Sequence, residues 1–269
     1  MSSSEADHQE ADKRTAIGAH VVLEAVSQEG EEELKRSSPA LAWSGLAAGL
    51  SMGFSLVAQA LLNAHLPDAP WRPLITKIGY TVGFLIVILG RQQLFTENTL
   101  TVVLPLLQRK DRATLLQVLR LWAVVLVSNL AGTFLFAWCI GSIDLFEPGV
   151  SRNFAELSQT AISTGFWITV MRGIFAGWLI AMTVWMLPAA EAAKVSIIVI
   201  ITYLVSLGGF SHVVAGSVEA FYLVLVGKIS IAGYFTRFLA PTLIGNILGG
   251  VSLVAALNHA QVVSGDTNS

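Results

Sequence analysis

Apolar and polar residues alternate along this chain in long blocks rather than in a two-residue or one-face rhythm. Six apolar blocks, roughly 40–64, 74–107, 115–141, 162–187, 195–226 and 234–258, are each long enough to cross a hydrocarbon core as a helix, which takes about 20 residues. Short polar segments join them at 65–72, 108–112, 142–159, 188–194 and 227–233. The pattern predicts an all-α membrane protein with six transmembrane helices. Trp43, Trp71 and Tyr234 fall near proposed span ends, where amphipathic rings favour the interface.

The second and fifth blocks are too long for one span, and both are interrupted by residues foreign to lipid. Block two holds Gly90-Arg91-Gln92-Gln93-Leu94-Phe95-Thr96-Glu97-Asn98. Block five holds Gly208-Gly209-Phe210-Ser211-His212, with Glu219 further on. Irregular backbone survives at membrane depth only where protein buries it or a cavity borders it, because hydrocarbon cannot satisfy free N–H and C=O groups. Breaks are therefore expected at Gly90 and at Gly208 and Gly209.

Several markers recur about 120 residues apart. Gly45 and Gly49 are matched by Gly173 and Gly177, one break by the other, and Asn129 with Gly132 by Asn246 with Gly249. Three spans per copy would invert the second copy in the membrane. An inverted 3+3 repeat with broken second and fifth helices points to a transport site. The four span glycines read as packing positions, since small residues let helix backbones approach closely.

Composition agrees with the pattern. Only 13% of the 269 residues are charged and 54% are hydrophobic, against about 25% charged in soluble domains. Half of the acidic residues lie within the first 38 positions. The expected organisation is an acidic cytoplasmic N-terminal tail at 1–38, a six-helix pore domain at 39–258 and a short cytoplasmic C-terminal tail at 259–269. Within the first tail, Ile17, Val21, Val22, Ala25 and Val26 recur at helical spacing, a candidate amphipathic helix that either gates the pore mouth or forms a solvated leader. The opening MSSSEADHQEADKR has no apolar core, so no secretory signal is expected.

Lys35, Arg36, Arg109, Lys110, Arg112 and Lys194 gather on one side, against Arg72, Lys77, Arg152 and Lys228 on the other. That bias places both termini in the cytoplasm of a bacterial inner membrane. The lone Cys139 excludes a disulfide framework and reads as a small core residue. No phosphate-binding loop, catalytic set or metal-ligand spacing stands out, and His8, His20, His65 and His259 are scattered. An enzyme, a cofactor, a metal and a nucleic-acid partner are accordingly not expected.

The stretches Gly90–Thr96, Gly209–Ala215 and Gly245-Asn246-Ile247-Leu248-Gly249-Gly250 resemble the formate/nitrite transporter family, with spacing in order over about residues 38–258. Gln93-Leu94-Phe95-Thr96-Glu97-Asn98-Thr99, the acidic tail and the Gly-Ser-Val-Glu after the histidine most resemble its YfdC-type branch. The resemblance implies an aquaporin-like fold and a homopentamer with one pore per protomer. It implies a constriction at Leu94, Phe95 and Thr96 and a central pore histidine at His212. In formate-carrying members asparagines stand where this chain has Gly177 and Gly216. The resemblance implies that both positions have lost an amide near the pore.

Each of these residues also has a plainer role open to it. His212 can be a buried, satisfied histidine or a hydrogen-bond or proton donor to a weak-acid anion. Leu94 and Phe95 are either core or an apolar ring that excludes water. Gly216 and Glu219 lie four and seven residues after His212, on one helical face. Glu97 and Glu219 are read as either pore groups or members of a structural network with Arg91, Arg172 or Lys77. The leading functional expectation is a passive channel or proton-linked transporter of small monovalent anions of the formate or nitrite type. The alternatives are a pore of the same fold for a neutral or cationic solute, and a non-transporting scaffold acting through its acidic tail.

Overall fold

The computed structural model describes residues 17–257 and 260–261, and every regular element among them is helical. Residues 1–16, most of the expected C-terminal tail and Asn258 lie outside the described residues. Helix α1 (Ala19–Lys35) precedes α2 (Ser38–His65). Then come α3 (Arg72–Leu89), a break holding a short turn at Glu97–Thr99, and α4 (Val103–Arg109). α5 (Arg112–Ser142), α6 (Pro148–Ala161) and α7 (Phe166–Met186) follow. α8 (Lys194–Leu207), a second break and α9 (Ala215–Leu225) lead to a last helical run, α10, over residues 231–256.

Among the described residues four helices are individually long and apolar enough to cross a membrane: α2, α3, α5 and α7. The spans expected from blocks two and five are divided, α3 with α4 and α8 with α9. Two wider-wound stretches of α10, Tyr234–Leu239 and Leu248–Ala256, flank Ala240–Ile247. Pro241 lies at the first junction, where its missing N–H removes a helix hydrogen bond.

α2 packs along α5, and α7 packs along α10. Backbones come close because both partners are glycine: a first side-chain carbon on Gly49 would stand 2.9 Å from Gly132 Cα, and one on Gly173 would stand 3.1 Å from Gly245 Cα. Side-chain caps start equivalent helices in the two halves. The Asp111 side chain accepts from Thr114 N at 2.9 Å to open α5, and Ser230 Oγ accepts from Gly233 N at 3.0 Å to open α10.

Three readings of the polar pattern change. The segment 142–159 is not a plain loop, since α6 occupies most of it with Val150, Phe154 and Ser158 buried on one face. Its apolar residues recur every four positions, a rhythm that a search for long apolar runs passes over. Tyr234 is no interfacial anchor: it is fully buried, with its hydroxyl 3.0 Å from Ser217 Oγ. Trp43 and Trp71 are exposed, and Cys139 is only half-buried rather than core.

Candidate functional site

The two breaks are built on one plan. α3 ends at Leu89, Gly90 caps it, and Arg91 turns through φ +50°. α8 ends at Leu207, Gly208 caps it, and Gly209 turns through φ +62°. That left-handed step suits glycine and strains arginine. After the step one buried asparagine holds each loop. Asn129 Nδ2 donates to Gly45 O and Gln93 O, both at 2.8 Å, and its Oδ1 accepts from Phe95 N at 3.0 Å. Asn246 Nδ2 donates to Gly173 O at 2.9 Å and Ser211 O at 2.8 Å, and its Oδ1 accepts from Val213 N at 2.8 Å.

A primary amide is suited to this task. It offers two donors and an acceptor at one fixed spacing, enough to satisfy loop groups that have left the helical ladder. The repeat markers Asn129 and Asn246 thus hold the loops, while Gly45 and Gly173 supply the carbonyls behind them.

In this frame Leu94 and His212 occupy equivalent places, and the loops meet at the centre. His212 Nε2 lies 2.7 Å from Thr96 Oγ1, and His212 Nδ1 accepts from Ala215 N at 3.1 Å. Because Nδ1 receives an N–H, the neutral ring carries its proton on Nε2, where it donates to the threonine hydroxyl. Around this pair Leu94, Phe95, Thr96 and Phe84 are fully buried. Phe84 meets the imidazole edge-on at 5.0 Å and Trp122 meets Phe95 edge-on at 5.6 Å. Trp122 Nε1 also donates to Asn98 O at 3.0 Å, tying α5 to the first loop.

A cavity lies to either side of this buried cluster. One, of 70 Å³, is bordered by His212, Glu219, Lys77, Arg172, Tyr80 and Gln59. The other, of 590 Å³, is bordered by Glu97, Gln92, Gln93 and Lys194 and by Glu29 and Glu33 of α1. Helix direction puts them at opposite ends: α3 enters beside Lys77 and leaves at Leu89, while α8 enters beside Lys194 and leaves at Ser206. Leu94, Phe95 and Thr96 border neither.

The two carboxylates of the breaks separate accordingly, Glu97 on the α1 side and Glu219 on the far side. The expected ion network is absent among the described residues. Arg91 is exposed and pairs with Glu29 of α1 at 3.0 Å, and no ion pair reaches Glu97, Glu219 or Arg172. The buried Glu97 Oε1 and Gln92 Oε1 have no hydrogen-bond partner. The left-handed step at Arg91 swings its side chain outward to α1, while Lys77 and Arg172 border the far-side cavity together with Glu219.

Gly216 and Gly177 also part company. Gly216 borders the far-side cavity, and a side chain there would run into the Phe238 ring. Gly177 faces the backbone of Asn246 and borders neither cavity, so it is a packing position rather than a lost pore amide.

α1 packs beside the α1-side cavity and borders it with Ala25, Glu29 and Glu33. Val22, Leu23 and Val26 are buried against Leu100, Val103, Leu104 and Val184, while Val21 and Ile17 are exposed. Glu31 pairs with Arg109 at 2.6 Å, Ser27 Oγ donates to Gln108 Oε1 at 3.1 Å, and Arg120 donates to Leu34 O and Arg36 O. Burial holds the Glu33 carboxyl above its ordinary range, against the opposing pull of Arg36. Phe84, Trp122 and Arg120 carried no sequence signal for these roles, because each acts on a segment remote in the chain.

Comparison with known proteins adds to this geometry. Residues 20–260 match the family described as formate/nitrite transporter. The chain is 42% identical over 244 residues to the inner membrane protein YfdC of Escherichia coli, covering 91% of this chain and 79% of that one. It is 26% identical to the formate channel BtFdhC of Bacillus thuringiensis, covering 87% and 91%. Two solved structures superpose at 18% identity. A channel titled as an ion channel of the same family gives a TM-score of 0.79 over 90% of this chain and 99% of that one. A pentameric formate channel with formate bound gives 0.71 over 84% and 98%. These neighbours are channels and transporters rather than enzymes.

Proposed function

The chain belongs to the formate/nitrite transporter family, and from that premise we propose that it is a multi-pass inner-membrane pore passing small monovalent anions of the formate or nitrite type as their neutral acids. One observation carries the reading: two polar-lined cavities at opposite ends, separated by the buried neck of Leu94, Phe95 and Phe84 with the Thr96–His212 hydrogen bond at its centre. Stripping an ion of water in an apolar ring costs at least several kcal/mol. A neutral acid of a few heavy atoms loses far less. The anion is drawn into the far-side cavity by Lys77 and Arg172, crosses the neck protonated, and ionises again in the α1-side cavity. His212 presents its Nε2 proton to Thr96 or to a solute that takes the threonine's place.

In this reading five copies assemble as in the pentameric formate channel, each with its own pore. The α1 side is cytoplasmic, following the Lys and Arg excess at that end, and both termini lie there. Docking of α1 by ion pairs within its own chain weighs against a scaffold whose acidic tail serves a partner. The test is flux into proteoliposomes of formate, nitrite, acetate and a neutral solute between about pH 5 and 8, with His212→Asn alongside. Anion flux that rises as pH falls and drops in the variant is expected. Wild-type protein that folds and passes none of the anions would overturn the reading.

A second reading has an observation of its own. Glu97 and Gln92, whose buried Oε1 atoms have no hydrogen-bond partner, both border the α1-side cavity, an acceptor pair suited to a neutral or cationic donor solute. Flux of a small amine without formate or nitrite flux would favour it.

A further inference from the structure

Both ring nitrogens of His212 are engaged. Nδ1 receives the Ala215 N–H and Nε2 faces Thr96 Oγ1. Charging the ring would place a proton on Nδ1 and leave the buried Ala215 N–H without its acceptor, and a buried donor left unpaired is costly. Giving away the Nε2 proton would leave an imidazolate, which is unavailable near neutral pH. The histidine is built to hold a hydrogen bond across the neck, so the proton for a passing anion needs another source.

Glu219 supplies the missing group. It borders the same 70 Å³ cavity as His212, seven residues further along the chain on α9. Gly216 between them borders the cavity too, with the Phe238 ring against it. Among the described residues Glu219 has neither a hydrogen bond nor an ion pair. The titratable and charged groups facing it are Lys77 and Tyr80 from α3, Arg172 from α7 and His212 from the break. α2 brings Gln59, α6 brings Leu157, Thr160 and Ala161, and α10 brings the Phe238 ring, none of which titrates. Lys and Arg stay protonated and Tyr holds its proton to high pH. The carboxyl is the one group bordering this cavity that can both carry a proton and release it to a carboxylate of similar basicity.

We propose that Glu219 is the proton donor to the anion in the far-side cavity, and that His212 positions the resulting acid. This rests on the weak-acid pore reading above. The Glu219 O–H bond breaks as an O–H bond forms on the anion, giving the neutral acid and a Glu219 carboxylate that Lys77 stabilises. Water at the mouth returns a proton to Glu219. The Glu219 carboxyl gives this cavity a resident proton.

The test is formate flux into proteoliposomes of the full-length protein over about pH 5 to 8, for wild type, Glu219→Gln, Glu219→Asp and His212→Asn. Glu219→Gln is expected to lower flux about tenfold or more, the size of a lost proton-transfer group, and to flatten the pH profile. Glu219→Asp should keep a pH-dependent profile at reduced rate. His212→Asn should lower flux yet leave the profile's shape. Infrared difference spectra of wild type on adding formate should show loss of a carboxylic-acid C=O band, a reading that does not need Glu219→Gln to fold. A wild-type profile in Glu219→Gln, or no such band change, overturns the proposal and leaves the pore intact. Absence of any anion flux in wild type overturns the pore reading and the proposal together.

Discussion

The first break, between α3 and α4, and the second, between α8 and α9, share a backbone but not a chemistry. Each follows a left-handed residue and hangs from one asparagine by two hydrogen bonds, with a third from that asparagine to a glycine carbonyl of the neighbouring helix. At equivalent places the first presents Leu94 and the second His212. The first then presents Thr96 where the second has Val214, and the Thr96–His212 hydrogen bond runs from one break to the other. A repeated frame can therefore stay symmetric while the lining becomes asymmetric. The cavities differ in the same way. The far-side one is small and bordered by Lys77, Arg172, Glu219 and residues of α6, and the α1-side one is large and bordered by residues of α1.

If the frame is shared, Asn129→Leu and Asn246→Leu should be about equally damaging. Each strands two carbonyls and an N–H in a buried place, so each is expected to cost about 3 kcal/mol or more. Thermal unfolding of purified protein in detergent measures it. A mild effect at one site and a severe one at the other would break the equivalence. Thr96→Val probes the link between the breaks. It strands the His212 Nε2–H at a cost of about 1–2 kcal/mol, and the same unfolding measurement should show less loss than either asparagine variant. A Thr96→Val protein as stable as wild type would mean that His212 finds another acceptor.

The helix starts offer a finer comparison. Ser230→Ala at the head of α10 should cost up to about 1 kcal/mol. Asp111→Ala should destabilise α5 in a pH-dependent way, which Ser230→Ala cannot do. The Thr114 backbone N–H and hydroxyl hold Asp111 below the ordinary carboxylate range. Its stabilisation is thus present above that range and fades as pH falls through the depressed value. Unfolding curves of the two variants at several pH values would separate the caps.

The smallest effect concerns α1. Burial raises Glu33, so the docked helix holds that proton more tightly than the undocked one. Docking should strengthen as pH falls toward the ordinary glutamate range and weaken as pH rises through the raised value. Amide exchange of residues 22–34 should slow on acidification, and Glu33→Gln should flatten the dependence. Unchanged exchange across that window in wild type would remove Glu33 as the cause.

Much of this was readable from residues in order. Block lengths located the four long helices and the two interrupted spans, because the bilayer sets a minimum length and tolerates few charges. The recurrence of Asn129 and Asn246 pointed to a repeat, since one frame needs one amide per copy. α6 was not readable this way: its apolar residues cover a single face and never form a run. The charge network was legible only in part: Lys77 and Arg172 border one cavity with Glu219, whereas Arg91 turns away to Glu29 after its left-handed step.

By itself, the sequence determined that the chain is helical, membrane-spanning, internally repeated and broken at two matching places. Those properties follow from local hydropathy and from residue types that lipid excludes. Tertiary structure alone decided that His212 meets Thr96 from the other break and that Phe84 and Trp122 border the neck. It also put Glu97 and Glu219 in different cavities and set α1 beside one of them. Each of those facts joins residues tens of positions apart, and only packing brings such residues within hydrogen-bond or van der Waals reach.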